Sequence, residues 1–111
     1  MTLPGLRGVE HVGITVQDIE AATSFFVNIL GCEVVFESGP FPPNPAVNPV
    51  RLHIHAEAHI QKLRMLRCGT GANIELLQYH APDQTGATLR NSDPGSHHLC
   101  LYVDDLRTAV D

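Results

Sequence analysis

The sequence predicts an α+β fold built from two related strand–helix units. Three observations predict it. The stretch Glu10-His11-Val12-Gly13-Ile14-Thr15-Val16-Gln17-Asp18-Ile19 recurs about 87 residues later as His97-His98-Leu99-Cys100-Leu101-Tyr102-Val103-Asp104-Asp105-Leu106. Each copy opens an apolar strand with a histidine and places an Asp where a helix begins, and such self-similarity marks repeated structural modules. Between the copies, one helical pattern is followed by three strand-like stretches, which together give the order β-α-β-β-β, linker, β-α.

Val9 to Val16 reads as the first strand. Val12, Ile14 and Val16 form a β-branched face suited to packing on helices, opposite Val9, His11, Gly13 and Thr15. Asp18 is the expected N-cap of a helix whose apolar residues Ile19, Ala22, Phe25, Phe26, Ile29 and Leu30 recur at helical spacing, with Gly31 as its stop. Cys32 to Glu37 is a short second strand. Ser38 to Pro49 is a loop, because Pro40, Pro42, Pro43, Pro45 and Pro49 fall within it. Asn48-Pro49 is expected to cap a short helix running to about His55. His59 to Cys68 is a third strand, Gly69-Thr70-Gly71-Ala72 a hairpin turn, and Asn73 to Tyr79 a fourth strand. A polar linker follows. Ser96 to Val103 reads as a fifth strand, and Leu106 begins a second helix capped by Asp104 or Asp105.

This reading divides the chain into a first module over residues 1–80, a linker over 81–95, and the start of a second module over 96–111. The second copy stops at its first helix, so the remainder of that module is expected to be missing from this sequence. Half a module would leave a sheet edge unpaired.

With 111 residues, 43% hydrophobic and 17% charged, the chain is long enough for a modest globular core. A formal net charge of -5 with no basic cluster argues against nucleic acid or an anionic membrane surface as partner. No apolar run is long enough to span a bilayer, and the N-terminus lacks a signal-peptide pattern. Cys32, Cys68 and Cys100 form no CxxC pair. Read as free thiols, they point to a reducing, cytoplasmic setting.

The candidate site follows from strand alternation. His11 shares a face with Gly13 and Thr15, His98 with Cys100 and Tyr102, and Glu75 with Asn73, Leu77 and Tyr79. All three faces lie opposite the apolar, helix-packing faces of their strands. If the sheet curls, they line the inside of a cup. An ionised carboxylate there is costly without a cationic partner, and a divalent metal supplies one. Two imidazoles and a carboxylate with open positions suit zinc, nickel, cobalt, manganese or ferrous iron. His11, Glu75 and His98 are therefore the expected metal ligands, with Tyr79 and Tyr102 as candidate pocket residues. His53, His55 and His59 are expected on a solvated face. Lys62, Arg64 and Arg67 are expected to be surface charges.

Taken together, Glu10 to Val16 with Asp18-Ile19, Asn28 to Cys32, Asn73 to Leu77 and Gly95 to Asp105 resemble the vicinal oxygen chelate superfamily, which includes glyoxalase I, methylmalonyl-CoA epimerase, extradiol dioxygenases and antibiotic-resistance proteins. The resemblance implies paired βαβββ modules whose curled mixed sheets form a cup around a metal, here with the second module incomplete. The family's ligand positions fall on His11, Glu75 and His98. The fourth, a Glu on the last strand, has no counterpart in this chain.

What the resemblance implies about activity is a metal-dependent lyase or isomerase of the glyoxalase or epimerase type. Such an enzyme chelates a small molecule through adjacent oxygens and moves a proton next to a carbonyl. Glu75 is then both ligand and candidate catalytic carboxylate. The alternatives are a ferrous extradiol-type dioxygenase, for which Glu75 is surplus, and a metal-free binding protein, for which all three ligands are. An unfinished second module also makes a homodimer the expected assembly.

Overall fold

A computed structural model describes residues 1–44, 46 and 49–111. Its elements are β1 (His11–Thr15), α1 (Ile19–Ser24), β2 (Glu33–Ser38), α2 (Pro49–Leu52), β3 (His59–Arg67), β4 (Asn73–His80) and α3 (Leu106–Val110).

Asp18 caps α1 as its sequence position predicts. Its backbone is extended and its carboxylate accepts from the N–H groups of Glu20 at 3.0 Å and Ala21 at 3.1 Å. Those are two of the donors that a helix start leaves without partners. The helix widens into a π-helical turn over Phe25–Ile29. Gly31, at a φ of +75°, then reverses the chain into β2, where a residue with a Cβ would be strained. The second helix is shorter than expected: α2 ends at Leu52 because His53 takes a positive φ of 55°. The expected cap Asn48 lies outside the described residues.

Among the described residues, four strands form one open sheet in the order β1-β4-β3-β2. β1 runs parallel to β4, with His11 beside Asn73 and Gly13 beside Glu75. β4 pairs antiparallel with β3, and β3 with β2, each through one register shift. The sheet is therefore mixed, and the two strands carrying the first two candidate ligands are neighbours.

One face of the sheet packs on α1. Ile19, Cys32, Leu66, Ile74 and Leu76 are buried there, flanked by Ile14, Val16, Ala22, Phe26, Leu30 and Cys68. Leu66 and Leu76 are wholly enclosed. The same face holds Arg64, whose guanidinium donates to Glu20 at 2.9 and 3.1 Å, to Thr23 Oγ1 at 2.8 Å and to Glu37 at 2.9 Å. Arg64 is only 7% exposed, so the expectation of a surface charge is corrected: it ties α1 and β2 to β3. A buried guanidinium needs this many partners to offset its lost hydration.

Two further expectations are corrected. Cys32 and Cys68 stand opposite each other at the paired ends of β2 and β3 and are joined by a disulfide, with Cα atoms 4.5 Å apart. Cys100 is the free thiol, so the reading of three free cysteines is corrected. The fifth strand over 96–103 does not form. Among the described residues no strand pairs with it, and Leu99, Leu101, Tyr102 and Val103 remain exposed. A strand is made by its ladder, and alternation without a neighbour does not build one. The helix after it does form, with Asp105 accepting from the Thr108 N–H at 2.9 Å.

Candidate active site

The residues of opposite parity on β1 and β4 face α1, which sets His11, Gly13 and Thr15 beside Glu75, Leu77 and Tyr79 on the other face. The Glu75 carboxylate lies over Gly13. A Cβ built on Gly13 would stand 3.6 Å from Glu75 Oε1 and 3.3 Å from Leu77 Cδ1. The contact with the carboxylate would be an ordinary one, and the tighter contact, with the end of Leu77, is the one a side chain here would press on. Glu75 is half-buried, and its charge acts on His11, two positions back along the neighbouring strand. His11 and Glu75 thus stand on one face of neighbouring strands, two register positions apart.

His11 is held from the other side. Its Nδ1 contacts the Glu10 carboxylate, which also accepts from Asn73 Nδ2 at 3.1 Å. The hydrogen bond to Glu10 raises the His11 pKa; partial burial opposes this, and the charges of Glu10 and Glu75 add to it. The same contact, followed by the Asn73 amide, lowers the pKa of Glu10.

The third expected ligand is elsewhere. His98 is exposed in the unpaired 96–103 segment, and among the described residues no group of three His, Cys, Asp or Glu side chains is placed to hold a metal ion. Tyr102 is fully exposed as well. Tyr79 is half-buried and lines a cavity of about 480 Å³ with Phe41, Pro43, Leu52, Ile54 and His59. An adjoining space of about 410 Å³ shares Leu52, Ile54, Ala58 and Tyr79 and reaches Thr15 on β1. Thr15 and Tyr79 have the parity of His11 and Glu75, so the second cavity meets that face at its far end, while neither His11 nor Glu75 lines either space.

These cavities correct the reading of the central histidines. His53 is exposed, but His55 and His59 are half-buried lining residues, and His59 Nδ1 is buried with no hydrogen-bond partner among the described residues. The strand pattern carried a signal for His59, because it sits opposite His80 at the end of the β3–β4 ladder, with ring centroids 5.3 Å apart. The placing of Phe41, Pro42 and Pro43 around the same cavity carried none. Lys62 and Arg67 also have partners, in Glu20 at 3.4 Å and in the Gly71 carbonyl at 2.6 Å.

No helix among the described residues is long and apolar enough to cross a membrane. Residues 10–111 match the model of the Glyoxalase/Bleomycin resistance protein/Dioxygenase superfamily. Over 109 residues the chain is 36% identical to a 2-epi-5-epi-valiolone epimerase from Actinomyces sp, covering 98% of this chain and 58% of that protein. It is 31% identical over 107 residues to the mitochondrial methylmalonyl-CoA epimerase of Homo sapiens, covering 95% of this chain and 51% of that one. The chain thus spans about half the length of the curated relatives it matches. Among solved structures, SMU.1112c superposes with a TM-score of 0.52 at 24% identity, over 94% of this chain and 70% of the other, a likeness of fold alone.

Proposed function

The chain belongs to the Glyoxalase/Bleomycin resistance protein/Dioxygenase superfamily, and from that premise we propose that it acts as a metal-dependent epimerase on a small molecule carrying a proton next to a carbonyl. The observation that carries this reading is that His11 and Glu75 share one face of adjacent parallel strands, the face that does not pack on α1, with Glu75 beside Gly13 and His11 two positions back.

The donor chemistry of that pair fits a divalent ion: a neutral imidazole nitrogen and a carboxylate oxygen. In the proposed site His11 and Glu75 supply two ligands and His98 the third, which requires residues 96–103 to be drawn into a sheet. A bound divalent cation, whether zinc, nickel, cobalt, manganese or ferrous iron, supplies positive charge where negative charge develops beside the substrate carbonyl. The protein's own share is positional. Glu75 is the carboxylate at the reacting face and the group proposed to hold or move the proton. Tyr79 and the apolar walls around it keep water from the substrate's remaining groups.

We propose further that the exposed apolar segment 96–103 is covered by a second copy of this chain. Leu99, Leu101 and Val103 are 41%, 55% and 44% exposed, an apolar surface that supports a partner over this segment.

The test is proton exchange in D2O. Cobalt-loaded protein is offered methylmalonyl-CoA and 2-epi-5-epi-valiolone, the compounds in the relatives' names. Deuterium is expected at the carbon beside the carbonyl of one of them, with the rate lowered on the order of 100-fold or more in Glu75→Gln. Exchange that is unchanged in Glu75→Gln removes Glu75 from the chemistry. No exchange with either compound overturns the reading.

A further inference from the structure

Glu10, just ahead of β1, is fixed by more than its neighbour in sequence. Its backbone carbonyl accepts from the Asn73 N–H at 2.9 Å, and its carboxylate accepts from Asn73 Nδ2 at 3.1 Å while contacting His11 Nδ1. Asn73 is held in turn by Arg67, whose Nη1 donates to Asn73 Oδ1 at 3.0 Å and to the Gly71 carbonyl at 2.6 Å. The direction of every bond in this chain follows from its first member. A guanidinium only donates, so the Asn73 oxygen faces Arg67 and its NH2 faces Glu10. An ionised carboxylate only accepts, so the His11 nitrogen that meets it carries the proton.

We infer that Glu10 is the positioning residue of the proposed site: through the relay Arg67–Asn73–Glu10 it fixes His11 as the Nδ1–H tautomer and leaves the Nε2 lone pair as the donor to a divalent cation. The inference rests on the metal-site reading of His11. Carboxylates that hold a ligand histidine's other nitrogen set its tautomer and ring orientation, and their removal typically costs on the order of 10–100-fold in metal affinity. Glu10 itself does not touch the ion or the substrate.

The test reads the tautomer before any metal is added. Long-range 15N–1H correlation spectra of uniformly labelled, metal-free protein, at a pH where His11 is neutral, are expected to show a protonated Nδ1 and an unprotonated Nε2. Glu10→Ala is expected to abolish that preference, and Glu10→Gln, whose amide oxygen still accepts, to retain part of it. Titration with cobalt alone is expected to show binding weakened 10–100-fold in Glu10→Ala, with partial recovery in Glu10→Gln. An Nε2–H tautomer in the wild type, or a tautomer unchanged by Glu10→Ala, overturns the inference whatever the metal does. A changed tautomer with unchanged cobalt affinity overturns Glu10's role toward the ion. If the tautomer behaves as expected but cobalt binds no form of the protein, the relay stands and the metal reading of His11 fails.

Discussion

Arg64 shows what a single position hides in one dimension. As a charged residue in an alternating strand it reads as solvated, yet its partners Glu37, Thr23 and Glu20 lie 27, 41 and 44 residues away. Only the docking of α1 and β2 on β3 brings them together. Removing a nearly buried guanidinium that satisfies several acceptors predicts that Arg64→Ala loses about 2 kcal/mol of stability in urea titrations. The pH response carries a sign. Arg64 is the main cause of Glu20's lowered pKa, with burial opposing and Lys62 assisting. A carboxyl whose folded value is lowered adds stability that is present above its unfolded value and lost as pH falls through the folded one. Wild-type stability is therefore expected to decline with acid through and below the ordinary carboxylate range, and Arg64→Ala to decline less over that window. A variant with the same acid slope contradicts the assignment. His11 and Glu75 behave in the opposite way to Arg64. Alternation alone predicted that they leave the helix-packing face, because parity along a strand is local information.

At the scale of elements, the legible features were those written into short stretches. The Asp18 cap, the Gly31 stop, the β3–β4 hairpin and the Asp105 cap each depend on a few adjacent residues. The disulfide was not legible, because joining Cys32 to Cys68 requires the β2–β3 register that places Glu33 opposite Arg67. Nor was the fate of 96–103, whose pattern is as strand-like as that of β1. β1 is a strand because β4 lies beside it, whereas 96–103 has no ladder partner among the described residues. The dependence of the sheet on its α1-facing core is testable. Leu76 is fully buried on β4 between strands, so Leu76→Ala is expected to cost about 3 kcal/mol in the same titration. A loss below about 1 kcal/mol would mean that the α1-facing core is not what holds β4 in place.

For the molecule as a whole, the apolar 96–103 segment left in solvent is what the proposed pairing of two copies accounts for. Sedimentation equilibrium is then expected to return about twice the 12.1 kDa of one chain, and a strict monomer would contradict the pairing. The same pairing would seat His98 with His11 and Glu75, which one copy alone does not do. The most direct test of the account is a cobalt titration of the wild-type protein beside His11→Ala, Glu75→Ala and His98→Ala, followed by the visible absorption of the bound ion. Saturable binding is expected in the wild type, with affinity lost in His11→Ala and Glu75→Ala and reduced in His98→Ala. Binding that survives the loss of both His11 and Glu75 would contradict it.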